Sequence, residues 1–245
     1  MTHTAQIAQN IQAKLHPMVQ IPVSYNYNQN RQPSQNYTQA QFQVDPLIPI
    51  VLGTQTSLLL NPMFTDNINH QNQQTSNQAT PLQLASYFAT QTTNFLYGVG
   101  PFIQMPTANP NAGSQQTGLG VSYGLLYQPA NWVIGAVAYN AWGVGSNVSA
   151  GTANIYYVNP GISYTTDNAW TISLMSWING NPTAGKSNNT NQLMLSGGNT
   201  VKIGKTHWQW QIGPSYMLTK TPTSPQGWGG FFSLTVAFPE KGYYI

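Results

Sequence analysis

Charge is the scarcest property of this chain: Asp, Glu, Lys and Arg together make up 4% of its 245 residues. With Asp45, Asp66, Asp167 and Glu240 as the only acids, a carboxylate pair for glycoside chemistry is not expected. The net charge of +3 rests on Lys14, Arg31, Lys186, Lys202, Lys205, Lys220 and Lys241, which are scattered rather than patched, so no nucleic-acid partner is expected. Cysteine is absent, which excludes disulfides and thiolate metal sites. His3, His16, His70 and His207 show no metal-ligand spacing. No serine motif accompanies His70 or His207, and Gly98-Val99-Gly100 and Gly118-Leu119-Gly120 lack the strand-turn-helix setting of a phosphate loop. Neither an enzyme, a metal nor a cofactor is expected. Long apolar runs are missing too. No window offers the roughly 18 uninterrupted apolar residues of a spanning helix. Met1 to Gln20 has no export-signal core, so the sequence is read as a mature chain whose signal has been removed.

What the chain does contain is alternation. In the last such stretch Trp228, Gly230, Phe232, Leu234, Val236 and Phe238 share one face, and Gly229, Phe231, Ser233, Thr235 and Ala237 the other. A period of two is a β-strand between unlike environments. A soluble sheet with this much apolar surface would be surrounded by charge. The expectation is therefore an all-β, transmembrane, antiparallel up-and-down β-barrel.

About twelve strands are predicted, near 19–28, 37–50, 55–64, 82–91, 95–105, 117–127, 132–142, 153–165, 169–178, 192–203, 207–218 and 228–238. Pro22, Pro46 and Pro49 blur the ends of the first two. The connections alternate between tight turns (52–54, 92–94, 128–131, 166–168, 204–206) and longer polar stretches (29–36, 65–81, 106–116, 143–152, 179–191, 219–227). Short periplasmic turns and longer external loops are the pattern of outer-membrane barrels. Arg31, Asp66, Lys186 and Lys220 fall in or beside the long loops, and only Asp45 and Lys202 lie within strands, on the polar face. Aromatic residues such as Tyr25, Phe95, Trp132, Trp142, Trp210 and Trp228 lie toward strand ends, where headgroup-level girdles form. Residues 1–18 are expected as an N-terminal periplasmic arm or short helix, with helical spacing at Ile7, Ile11 and Leu15, residues 19–238 as the barrel, and 239–245 as a tail. A plug and a disordered terminus are both open for the first segment.

The segments Ile7-Ala8-Gln9-Asn10, Met18-Val19-Gln20-Ile21-Pro22-Val23-Ser24-Tyr25-Asn26-Tyr27-Asn28, Tyr97-Gly98-Val99-Gly100-Pro101, Pro129-Ala130-Asn131-Trp132-Val133-Ile134-Gly135-Ala136, Asn140-Ala141-Trp142 and Leu234-Thr235-Val236-Ala237-Phe238-Pro239 occur in an order that resembles one family. It is the outer-membrane transporter-like family named after the MetA pathway of phenol degradation, a neuromedin U-like group of outer-membrane β-barrels. The resemblance implies a barrel in the bacterial outer membrane that passes small aromatic or hydrophobic compounds. Relatives carry more charge in loops and lumen than this chain, which argues against a charge-guided substrate.

Function is expected in the lumen, lined by Gln20, Ser24, Asn26, Gln41, Gln43, Asp45, Gln104, Ser122, Lys202, Gln209, Gln211 and Ser215. Amides and hydroxyls donate and accept without selecting charge sign. The reading is a channel or transporter for small uncharged or aromatic solutes in contact with outer-membrane lipid, with a homo-oligomer compatible with it. The competing reading is a structural barrel with a filled lumen, or a self-assembling surface β-protein with no transport role.

Overall fold

A computed structural model describes residues 1–32, 35–71, 74–107, 116–144, 154–182, 189–219, 226–239 and 243–244. One helix, α1 (His3–Gln12), precedes the strands β1 (Val19–Gln32), β2 (Gln35–Val44), β3 (Ile48–Val51), β4 (Thr56–Gln71), β5 (Gln74–Ala79), β6 (Gln83–Gln91), β7 (Phe95–Gln104) and β8 (Thr117–Tyr127). They continue as β9 (Trp132–Val144), β10 (Ile155–Thr165), β11 (Trp170–Gly180), β12 (Thr190–Ile203), β13 (Thr206–Met217) and β14 (Gly227–Phe238), with a two-residue β15 (Tyr243–Tyr244) parallel to β3. Sequential antiparallel neighbours run from β6 to β14, and β14 then pairs with β1, from Val19 opposite Phe238 to Asn28 opposite Gly229. The pairing of β4 with both β2 and β6 closes the ring.

The fifteen strands of the described residues give twelve positions around this ring, because two positions are each built from two strands and β15 flanks β3 outside the ring. β2 and β3 follow one another along the same edge of β4, and β5 and β6 share its other edge. The single strand expected over 37–50 is thus interrupted at Asp45-Pro46-Leu47. Pro46 has no N–H to donate to a ladder. Asn61 Nδ2, across the sheet, donates to the Asp45 carbonyl at 3.0 Å and the Pro46 carbonyl at 2.9 Å, satisfying the acceptors the break sets free. Pro81 interrupts the other position, where Thr80 N–H donates to Thr65 O at 2.9 Å.

Two expected loops are instead strand. Residues 29–32 and 35–36 belong to the paired ends of β1 and β2, and most of 65–81 is β4 and β5. Their Asn- and Gln-rich composition reads as loop because both faces are polar. The ladder is real, however, and side chains reinforce it: Gln39 Nε2 donates to Asn69 Oδ1 at 3.0 Å and Gln41 Nε2 to Asn67 Oδ1 at 3.1 Å. Asp66, expected in the loop, sits in this extension of β4 opposite Phe42 and Ala79. The other long connections, with Lys186 and Lys220, lie mainly outside the described residues, as do Glu240 and Lys241. The tight turns stand close to where expected, at 52–55, 92–94, 128–131, 166–169 and 204–205.

The outward face is an apolar belt that includes Val121, Tyr123, Leu125, Ile134, Ile172, Leu174, Leu195, Ile212 and Phe232, all exposed. Aromatic contacts mark its rims. Phe95–Tyr127, Trp132–Tyr164 and Trp170–Trp210, with centroids 4.8, 4.8 and 5.8 Å apart, ring the tight-turn end, and Tyr216–Trp228 lies at the other at 5.0 Å. Charge placed mid-belt should be costly. Ile212, 58% exposed and central in β13, is the test position. Ile212→Arg is expected to lower folding stability in lipid vesicles by about 2–4 kcal/mol, and Ile203→Arg, at the end of β12, by about 0–1 kcal/mol. Urea titration of vesicle-inserted protein measures both.

Candidate functional site

The lumen is divided by depth. Its tight-turn half holds α1, which is begun by Thr2, whose Oγ1 accepts from Ala5 N–H at 3.2 Å. The helix contacts β9 to β13, with Ala5, Ile7, Ala8 and Ile11 buried. Uncharged side chains fasten it to the wall. Gln9 Nε2 donates to the carbonyls of Ala130 and Trp132, and Gln128 Nε2 donates to Asn10 Oδ1 at 3.2 Å. Gln12 Nε2 donates to Gln209 Oε1 at 2.6 Å, while Gln12 Oε1 accepts from Ser173 Oγ at 3.0 Å. Gln209 Nε2 in turn donates to Ala8 O and Thr200 Oγ1.

Residues 13–18 lead from the helix to β1. Leu15 packs in a cluster with Leu59, Leu126, Val133 and Val137, so the inner wall on that side is apolar. His16 Nδ1 has no hydrogen-bond partner, and burial pushes its imidazole down from 6.5 to about 4. A neutral ring is therefore favoured in place, whereas a released segment takes up a proton below about 6.5. Docking is strongest above that pH and weakens as pH falls toward 4. Limited proteolysis of the N-terminal segment is expected to be faster near pH 5 than near pH 7.5.

Beyond residues 13–18 the lumen widens to a cavity of about 510 Å³ toward the long-connection end. One wall carries amides from β1, β2 and β4, among them Asn28, Gln39, Gln41, Gln43, Asn61 and Asn67. Tyr87 stands beside this wall on β6, and the side across the barrel carries Tyr139, Tyr157 and Trp177, with the amides of Asn179 and Gln192 among them. Tyr139 stacks between Phe102 (centroids 4.2 Å, 6° between planes) and Tyr157 (4.8 Å, 14°), and its hydroxyl donates to Gln83 Oε1 at 3.1 Å. Among the described residues, Lys14 and Asp45 are the charged groups lining this chamber. Below it, pockets of about 110 and 40 Å³ flank the helix.

Apart from Asp45, which lies at the break between β2 and β3, the predicted lumen residues share the inward register of their strands, but they do different things. Gln41, Gln43 and Asp45 line the chamber. Gln20, Ser24, Gln209 and Gln211 line the 110 Å³ pocket. Asn26 and Ser215 are packed into a network instead: Asn26 Nδ2 donates to Gln192 Oε1 at 2.7 Å, Gln192 Nε2 returns a bond to Asn28 Oδ1 at 2.9 Å, and Ser215 Oγ donates to Asn26 Oδ1 at 3.4 Å. Gln104 is buried and accepts from Gln83 Nε2 at 3.4 Å. Ser122 is buried in the wall, donating to the Ser86 and Gly100 carbonyls. Lys202 departs most from the expectation. It is exposed at the tight-turn rim, opposite His207, and lines none of these pockets. The aromatic lining of the chamber leaves no mark in the alternation. β9 is apolar on both faces, with Val133, Val137 and Ala141 inward and Trp132, Ile134 and Trp142 outward, so alternation alone carries no sign of Tyr139.

These features, a closed twelve-position barrel with an apolar outer belt, aromatic rims and a polar lumen, define an outer-membrane β-barrel. No protein-family model matches the sequence, and no curated protein matches it. Solved structures do. An outer membrane channel from Pseudomonas putida F1 is similar over 91% of this chain and 95% of its own, with a TM-score of 0.62 at 13% identity. The NanC porin is similar over 90% of this chain and 98% of its own (TM-score 0.52, 9% identity), as is the translocator domain of autotransporter NalP from Neisseria meningitidis over 90% and 87% (TM-score 0.50, 11% identity). At these identities the likeness is one of fold.

Proposed function

We propose that the chain resides in the bacterial outer membrane and conducts small uncharged solutes through its lumen. The observation that carries this reading is the 510 Å³ chamber, walled by amides and aromatic rings with one lysine and one aspartate among its described lining residues. Amides bond to solutes of either polarity without selecting charge. The fold resemblance to channels and porins supports conduction, and the family resemblance in the sequence supports a small-molecule cargo. The apolar and aromatic share of the wall accommodates a solute with carbon surface. α1 forms the constriction, since only small pockets remain beside it.

Planar-bilayer recording together with liposome swelling tests this. The expected result is a small conductance with weak ion preference and swelling in neutral solutes that slows with solute size. A strong cation or anion preference overturns the neutral-solute reading. An absence of both current and swelling favours the filled-lumen barrel, which α1 in the narrow half also suits.

A further inference from the structure

The chamber combines an amide-rich wall with aromatic surface across from it, and that combination narrows the solute class. On the β2–β4 side, Gln41 Nε2 donates to Asn67 Oδ1, which leaves Gln41 Oε1 as an acceptor and Asn67 Nδ2 as a donor toward the lumen, beside Gln43. On the other side Tyr157 and Trp177, from adjacent strands β10 and β11, present aromatic surface to the same space. A solute that satisfies both walls needs a carbon face for the rings and a rim of groups that each donate and accept.

A flat aromatic hydrocarbon meets the ring wall but leaves the amides without partners, and a site with unpaired polar groups rejects the ligand that causes them. A linear polyol satisfies the amides but offers no rigid carbon face. A sugar acid needs cations, and Lys14 is the single one among the described lining residues, in a chamber it shares with Asp45. A neutral pyranose fits on every count: its ring carbons form an apolar face, and its equatorial hydroxyls radiate from the edge as combined donors and acceptors. The volume of about 510 Å³ is in the range of small-molecule sites and takes one or two such rings.

We propose that the wide half of the lumen is a binding site for neutral saccharides, with sugar hydroxyls on the Gln41–Gln43–Asn67 wall and the ring's carbon face on the Tyr157–Trp177 wall. This deepens the conduit reading and rests on it for the route by which sugar arrives. It differs from a hydrophobic cargo in making the amides, rather than the apolar lining, decide what stays.

The full chain, purified in a detergent without a sugar headgroup, is titrated with maltose, with sorbitol (hydroxyls, no ring) and benzyl alcohol (ring, one hydroxyl) as comparators. Tryptophan fluorescence reads occupancy through Trp177, with Trp177→Phe identifying its share of the signal. Blockade of single-channel current reads it independently. The expected result is saturable maltose binding that is weakened roughly tenfold or more by Gln41→Leu and by Tyr157→Leu, with sorbitol and benzyl alcohol at least as much weaker than maltose. Heat-modifiability on gels verifies that each variant is folded. Gln43→Leu provides a second amide-wall test should Tyr157→Leu fail to fold. If current and swelling are present but maltose never saturates, or sorbitol or benzyl alcohol binds as well, the saccharide site is overturned and the conduit stands. If maltose saturates and the two walls' variants weaken it while neither current nor swelling is seen, the site stands and the conduit reading falls.

Discussion

Deleting residues 2–12 should raise the single-channel conductance substantially while leaving the barrel intact. The wall does not depend on this segment, because β1 begins at Val19 and closes on β14 through its own ladder. The helix, by contrast, occupies the narrow half of the lumen and leaves pockets of only about 110 and 40 Å³ beside it. An α-helix with its side chains is about 10–12 Å across. A twelve-stranded interior lies between eight-stranded barrels filled by side chains and sixteen-stranded porins with open channels, so removing the helix is expected to increase conductance roughly tenfold. Planar-bilayer recording of the deletion beside the full chain measures it. A milder version is Gln9→Ala with Gln12→Ala, which removes the bonds to Ala130, Trp132 and Gln209 and should yield a fluctuating current between the two levels. Equal conductance for deletion and full chain would show that the helix does not set the constriction.

Gly120→Val is expected to abolish the folded barrel. A Cβ at Gly120 would lie 1.7 Å from the Asn140 carbonyl oxygen and 2.7 Å from Ala141 Cα. Both are backbone atoms of β9, and Ala141 is the register partner of Gly120. They can move away only if β8 and β9 separate, which costs the ladder that closes the wall. Overpacking a well-fitted interior usually costs about 1–3 kcal/mol, and a clash with paired backbone belongs at or above the top of that range. Gly197 is the internal control, since nothing lies within 4 Å of its added Cβ. Gel mobility before and after boiling reads the outcome: Gly197→Ala keeps the fast-running unboiled form, and Gly120→Val loses it.

Much of this architecture is legible in the residues, and the failures have physical causes. Outward strands announce themselves because lipid demands apolar side chains at every second position, as in Leu119, Val121, Tyr123 and Leu125 of β8. Where the chain leaves lipid, that demand disappears. The β1–β2 and β4–β5 hairpins therefore look like loops although their backbones remain paired. The lumen is harder to read, since inward residues answer to whatever fills the barrel. Val133 and Val137 are apolar because Leu15 packs among them, and Gln209 is an amide because the Ala8 carbonyl and Gln12 are beside it. The helical spacing of Ile7 and Ile11 is visible, but the partners that hold α1 in the lumen include main-chain carbonyls of Ala130 and Trp132, which no residue identity encodes.

The fastening of α1 also fixes what can move it. From Thr2 to Gln12 the segment contains no Asp, Glu, Lys or Arg, and its ties to the wall are amide and hydroxyl bonds, joined just before the helix by an ion pair between the Met1 ammonium and Asp167 at 3.3 Å. An electric field acts on displaced charge, at about 2.3 kcal/mol per elementary charge for each 100 mV. The helix itself carries almost none, so the handles voltage has on it are the flanking Met1 ammonium and Lys14. A solute that offers better partners to Gln9, Gln12 and Gln209 acts on the helix directly.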